Sequence, residues 1–378
     1  MANKGIKSFI QTLKAEGDLI SISTPLDPKY EISAVISELG KKDRPALLFE
    51  KVKGHRLPVL GNLLGTRKRL SLALGIEPER LFDEFPKRME RRLSPALVRD
   101  SSTKEAIKRG RGLDLTKLLP VLTHYGGDSG PYITSGFSSA RDPETGVIGR
   151  GLHRMEVRGK DRLGISLINP PLAEIYGKYK KKNKKMEIAT VIGLDPLIFI
   201  AAILKAPVGL DKLSIAGGIS GKAVPMVRTE NVDLEIPAFA EILIEGFIDP
   251  SGKEEDGVLG ESSGYYMGFA KSPAIQVTAI TFRQNAIYHA IVPWSLEVDN
   301  LLYLVHGLDF IPKMKREIPS IKAIRLIPGT FGSHAVISLD TENRGEIRRA
   351  LSLALSFTNI KKVIAVNTDI NLQDDQEL

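Results

Sequence analysis

The sequence predicts a mixed α/β chain built around a mainly antiparallel sheet or barrel, and three observations carry that expectation. Amphipathic helical patterns open the chain, and period-two segments separated by Gly, Pro, Asp and Asn fill residues 125–295. After residue 296 the texture returns to alternating helix and strand. At 378 residues the chain exceeds one ordinary core, so two or three lobes are expected.

The elements follow in order. Residues 5–17 and 29–41 read as helices, and "RPALLFEKV" as a short strand ending in a turn at Gly54. A charged helical stretch is expected around 77–110. The strands "GRGLHRMEVRG", "RLGISLI", "EIATVIGLDP", "LEIPAFAEILIEGFIDP" and "AIQVTAITFRQNAIYHAIV" then build the sheet, interrupted by a helix near 196–206. Within the last of these, "FRQNAIY" reads as a hairpin turn. The final third predicts a helix at 298–314, a strand at 321–327, a helix at 343–356 and a strand at 362–367.

Composition excludes several function classes. The absence of cysteine rules out disulfides, thiolate catalysis and Cys-ligated metal centres. The longest plain apolar run, Leu197–Leu204, is far short of the roughly 20 residues that span a bilayer. The N-terminal segment lacks an apolar core and cleavage site, so a cytoplasmic protein is expected. The net charge of +8 is concentrated in "KYKKKNKK", Lys178–Lys185, whose six lysines read as a solvated loop without the aromatics or Arg-Gly pattern of a nucleic-acid binder. "AGGISGKA" lacks the first glycine of a phosphate-binding loop and has Ala223 where Ser or Thr would hold magnesium. The six histidines show no spacing that sets two ligands on one helix face.

What survives is Arg154 in "GLHRMEV" together with Asp256 and Glu261 in "EEDGVLGESSGYY". A guanidinium beside two carboxylates can fork a substrate carboxylate, hold one acid ionised and leave the other to carry a proton. The same residue types also make the commonest structural salt bridge, and spacing does not separate the two readings.

Longer motifs carry more. "SGPYITSGFSSARDPETGVIGRGLHRMEVRGKDRLG" resembles the signature core of the UbiD family of reversible decarboxylases. "LKAEGDLISISTPLDPKYEISAVI" and "PALLFEKVKGHRLPVLGNLLGTRKRLSLALG" are similar to that family's N-terminal domain. "IGLDP", "AGGISGKAV", "IPAFAEILIEG", "EDGVLGESSGYY" and "KKVIAVNTDIN" follow in the family's order. The resemblance implies an N-terminal α/β domain over 1–115, a flavin-binding split β-barrel over 116–296 and a short C-terminal α/β lobe over 297–378. It also implies prenylated FMN (or FMN), supplied by a flavin prenyltransferase, and an α,β-unsaturated or aromatic carboxylic acid as substrate. In that chemistry the acid bonds to the flavin, carbon dioxide leaves, and an acid returns a proton. Arg154, Asp256 and Glu261 take the family's catalytic positions, with Glu261 as proton donor and Asp256 shorter than the usual Glu. Thr134, Leu152, His153, Arg154, Ser166, Leu167, Ile168 and Lys362 fall at cofactor positions.

The departures are as informative. The family's manganese ligands, an Asn, a His and a Glu, align with Gly149, with "NPPLAEIY" (Asn169–Tyr176) and with Lys212, so no metal ligand is expected here. Lys212, with Arg150, is expected to supply the metal's positive charge next to the flavin phosphate. The alternative is a Lys212 that faces solvent on a surface turn. Beside the family the chain stops soon after "TDIN", so either a compact variant or a second polypeptide that supplies the missing part is expected, and the family's habit implies a homodimer or higher oligomer. Two functions remain: a decarboxylase for a hydroxybenzoate-type or anhydromevalonate-phosphate-type acid, or a non-catalytic, partner-dependent subunit that keeps the fold without the metal site.

Overall fold

A computed structural model of the protein describes residues 5–41, 44–99, 101–206, 209–269 and 271–372. Residues 1–63 and 88–295 pack as one compact unit, and 64–87 with 296–378 as another.

The first unit is dominated by a nine-stranded sheet among the described residues, paired antiparallel throughout and curled into a half-barrel. Its order is Tyr132–Ile133, Met155–Val157, Arg162–Ile165, Ser272–Phe282, Ile242–Glu254, Met186–Ile192, Phe137–Arg141, Ile148–Leu152, with Ala106–Arg109 added beside Ser272–Phe282. The long pair Ile242–Glu254 and Ser272–Phe282 slips register after Glu245 and again after Ile248, and such bulges bend a strand and raise its twist. Period-two alternation sends Met155, Leu163, Ile165, Ile188 and Ile244 into one apolar core. Two helices close the wall near the site. Pro196–Ile203 is capped by Asp195 and buried nearly all round, and Lys212–Ser220 is capped by Asp211, whose side chain accepts from the Leu213 amide at 2.9 Å.

Ahead of the barrel, helices Ile6–Ala15 and Glu31–Lys41 bury Ile6, Ile10, Leu13, Ile32 and Ile36, as their periodicity predicts. Strands Leu19–Ile22, Ala46–Phe49, Val59–Gly61 and Tyr288–His289 form a separate small sheet. In the second unit, helices Leu296–Glu317 and Arg344–Leu355 pack with Ile321–Leu326, His334–Leu339 and Lys362–Asn367 around Phe310, Met314, Ile337 and Ala350. Glu297 and Asn300 of the long helix hold the Leu64 amide and carbonyl at 2.8 and 2.6 Å, which ties the 64–87 segment into this unit.

Four local expectations change. The stretch 77–110 is helical only at Pro78–Arg80 and Leu81–Glu90, because Ala106–Arg109 is drawn into the sheet edge by Ser272–Phe282. "FRQNAIY" does turn, with Asn285 at φ 52°, yet Tyr288–His289 pairs with Val59–Gly61 and makes no hairpin with the strand before it. The lysine run is an exposed loop only from Lys182 to Lys185: its first half belongs to Leu172–Lys181, a helix that buries Leu172, Ile175 and Tyr176. Lys178 in this helix is bound by Asp142 at 2.7 Å and by Glu144 at 3.3 Å. The strand His334–Leu339, flanked by Gly and Ser on one side and Asp on the other, was not anticipated.

Folding buries His124 and His153, and burial pushes their pKa values down to about 3 and about 4. Both are neutral in the folded chain, while the unfolded chain protonates them near pH 6.5. Their contribution to stability is therefore complete above about pH 6.5 and falls as the pH drops toward 4, with a slope approaching two protons taken up on unfolding. Denaturant titrations across this range should show that slope, and His153→Gln should flatten it by about one proton; a flat profile would contradict the burial.

Candidate active site

Strand Met155–Val157 lies between Tyr132–Ile133 and Arg162–Ile165. Met155 packs into the core, so alternation turns Arg154, Glu156 and Arg158 to the opposite side. The two acids arrive on a distant segment. A small hairpin, Leu259–Gly260 with Tyr266–Met267, turns through Gly264 at φ 80°, a backbone state that glycine takes without strain. Asp128 anchors it by accepting from the Gly260 amide at 3.0 Å, and the Tyr266 hydroxyl accepts from the Gly127 amide at 3.0 Å.

The structure brings Arg154, Asp256 and Glu261 together. Arg154 Nη1 lies 2.8 Å from Glu261 Oε1 and donates to the Met267 carbonyl at 3.0 Å. Its Nη2 lies 3.5 Å from Asp256 Oδ2, so the shorter acid reaches, but only just. Asp256 Oδ2 also accepts from the Phe269 amide at 3.0 Å. The Asp256 side chain is 5% exposed and that of Glu261 38%, so the pair divides into an anchored acid and an open one. The guanidinium carbon of Arg154 stands 5.9 Å from the Tyr132 ring centroid and 5.8 Å from that of Phe269, a cation–π setting. Desolvation pushes the Tyr132 hydroxyl up to about 12.

The residues expected at the cofactor fall around this strand. The Thr134 hydroxyl accepts from the Ile291 amide at 3.2 Å. His153 Nδ1 is 2.9 Å from the Ser166 carbonyl; being neutral it donates there, and Nε2 is left as an acceptor with no protein partner. Leu167 is half-buried and Ile168 is 56% exposed. Lys362 belongs to the second unit, where it opens strand Lys362–Asn367 opposite His334 and lines a cleft with Ile327 and Ile364.

A cavity of about 200 Å³, open to solvent, lies where the metal position was expected, lined by Gly149, Arg150, Pro171, Ile175, Asp211 and Lys212 among others. Lys212 is not on a surface turn: it starts the buried helix Lys212–Ser220, and its ammonium donates to the Ala202 carbonyl at 2.8 Å. Burial pulls its pKa down to about 8. Arg150 is buried against Asp211 at 2.6 Å, and its Nε–H has no protein partner.

These donors do not fit a hard dication. Gly149 offers no side chain, and a Cβ there would collide with Ile175 Cδ1. Asp211 is engaged by Arg150 and by its own helix cap, and no cluster of three or more acidic or imidazole side chains suited to a metal occurs among the described residues. The same cavity, with two cations and a free Arg150 N–H, suits an anionic phosphate.

Sequence reasoning missed Arg158, which meets Asp256, and Glu156 and Glu254, which meet Arg158. The alternation of Arg, Glu and Arg at 154, 156 and 158 was the available signal.

Family models match three successive parts of the chain: the N-terminal (residues 10–89), Rift-related (96–296) and C-terminal (300–378) domains of 3-octaprenyl-4-hydroxybenzoate carboxy-lyase. An evolved dimeric form of the UbiD-class enzyme HmfF from Pelotomaculum thermopropionicum, in complex with prFMN, is 36% identical with a TM-score of 0.90. That alignment covers 99% of this chain and 87% of the other. The 3,4-dihydroxybenzoic acid decarboxylase AroY of Klebsiella pneumoniae is 26% identical with a TM-score of 0.91, over 99% of this chain and 83% of that one. Vanillic acid decarboxylase of Sedimentibacter hydroxybenzoicus, ShVdcCD in its closed form, is 26% identical with a TM-score of 0.83, over 100% and 83%. The half-barrel, its strand order and the matches along the chain agree, and this chain belongs to the UbiD family of carboxy-lyases.

Proposed function

We propose that the protein is a non-oxidative decarboxylase of an α,β-unsaturated or aromatic carboxylic acid, working with prenylated FMN. The observation that carries this reading is Arg154 held between an anchored carboxylate, Asp256, and an open one, Glu261.

Prenylated FMN, when bound, supplies the electron sink for the carbanion left as carbon dioxide departs. Thr134, Leu152, His153, Arg154, Ser166, Leu167 and Ile168 would line it, with Lys212 and Arg150 on its phosphate. Arg154 binds the substrate carboxylate, which exchanges with Glu261 for the guanidinium face. Once carbon dioxide has left, Glu261, in its protonated form, would deliver its proton to the substrate carbon that carried the carboxylate and be reprotonated from solvent, to which it is open. Asp256 keeps Arg154 in place during the exchange. A flavin prenyltransferase would supply the cofactor, and a cytoplasmic homodimer is the assembly we infer. Hydroxybenzoate-type acids and small phosphorylated unsaturated acids are the two substrate classes to screen.

A second reading, a partner-dependent subunit without cofactor, is favoured by one observation: among the described residues the cavity gathers no cluster of three or more acidic or imidazole side chains for a metal. Co-expression with a flavin prenyltransferase separates the two. A yellow protein carrying prenylated FMN and releasing carbon dioxide from a screened acid supports the decarboxylase, and a colourless one supports the subunit.

In the loaded enzyme, Glu261→Gln should lower kcat by about 10²–10⁴-fold with the flavin retained, as expected for loss of the proton donor. Equal kcat would remove Glu261 from the chemistry. Lys212→Met should weaken flavin retention by about tenfold or more, in line with loss of a charge-assisted contact, and added manganese should not restore it. Stoichiometric manganese in the loaded wild-type protein would sink the metal-free reading of this cavity.

A further inference from the structure

The contacts of Asp256 do not end at Arg154. Its Oδ1, the oxygen turned away from Arg154, accepts from Arg158 Nη2 at 3.4 Å. Arg158 in turn donates from Nε to Glu156 at 2.7 Å, from Nη1 to Glu254 at 3.2 Å and from Nη2 to the Ser272 hydroxyl at 2.9 Å. Glu156 is itself held by the Ser129 hydroxyl at 2.7 Å, and Glu254 is also bound by Arg162. Arg158 thus sits, 12% exposed, at the centre of a chain running from Ser129 through Glu156, Arg158 and Asp256 to Arg154 and Glu261.

We propose that Arg158 is the positioning residue of this site, acting on Arg154 through Asp256, and that Gly164 is the slot that lets it do so. The proposal rests on the decarboxylase reading for its catalytic consequence, though not for its geometry. An aspartate that reaches Arg154 only at 3.5 Å orients it weakly alone, and Asp256 gains its orientation from Arg158 on one side and the Phe269 amide on the other. The planar fork is required: one guanidinium spans Glu156, Glu254, Asp256 and Ser272 in fixed directions, which the single ammonium of lysine cannot do. Room for it comes from the neighbouring strand Arg162–Ile165, where a Cβ on Gly164 would collide with the Arg158 guanidinium. Gly164 lies in the ladder between Met155–Val157 and Ser272–Phe282, so its backbone has no freedom to yield, and a side chain there must displace Arg158.

The test uses the full chain with Arg158→Met, Arg158→Lys, Gly164→Ala, Asp256→Asn and the Asp256→Asn/Arg158→Met pair. In the cofactor-loaded enzyme, Arg158→Met is expected to lower kcat by about 10- to 100-fold with KM within about twofold, the pattern of a misplaced reacting group. Arg158→Lys should recover only part of that loss. Gly164→Ala should reproduce it with every charged group still present, which guards against an Arg158→Met protein that fails to fold. The paired variant should be no slower than Asp256→Asn alone, since a residue acting through Asp256 has nothing left to act on. Losses that multiply, or a raised KM at constant kcat, would overturn the proposal.

A second arm needs no turnover. Hydrogen exchange in the peptide reaching Phe269, whose amide Asp256 holds, should quicken by about tenfold in Arg158→Met and Gly164→Ala. Unchanged exchange would overturn the positioning role. If the wild-type enzyme with bound cofactor acts on none of the screened acids, the decarboxylase reading fails, and the exchange measurement still decides what Arg158 does.

Discussion

Charges set into the wall of a half-barrel must be paired, because an isolated ion withdrawn from water costs several kcal/mol. In this protein that constraint organises the whole site. Strand Met155–Val157 turns Arg154, Glu156 and Arg158 to one side, and these can be accommodated only if other elements bring compensating groups. Glu254 comes from the end of the long strand, Asp256 and Glu261 from the segment after it, and Ser272 from the strand that returns. The same pairing that makes the arginines tolerable decides where the acids stand. Asp256 is fixed by two guanidinium groups and a backbone amide, while the Glu261 side chain meets Arg154 and stays open to solvent.

The cavity at Arg150 and Lys212 follows a similar logic with the opposite balance. Arg150 is buried and neutralised by Asp211, but among the described residues the Lys212 ammonium meets a backbone carbonyl and no carboxylate. Burial lowers its pKa, and an anion would satisfy it where no further cation could. A Cβ on Gly149 would meet the methyl end of Ile175 and the ring of Pro171.

Much of this was legible in the chain before any fold was known. Periodicity located the opening helices at Ile6–Ala15 and Glu31–Lys41, the central antiparallel sheet, and the helix Leu296–Glu317. Residue type and motif order singled out Arg154, Asp256 and Glu261, and the structure brings those three together. The failures have physical causes. "KYKKKNKK" is rich in charge, but lysine is a good helix former, and Asp142 and Glu144 hold Lys178 along the last turns of a helix. Ala106–Arg109 and Tyr288–His289 are too short to announce their partners, and both are claimed by strands far along the chain.

By itself, the sequence determined what local chemistry can determine: the alternation of the strands, the caps at Asp195 and Asp211, and the donors and acids available to a site. Only the tertiary structure decided which of them meet. Arg158 could not be told from a surface arginine until Asp256, nearly a hundred residues later, was folded against it and Gly164 was found bare beneath its guanidinium. Lys212 could not be told from a solvent-facing lysine until its helix was buried. Long-range pairing depends on the register of non-adjacent strands, and register is set by the packing of the whole sheet, which no local pattern contains.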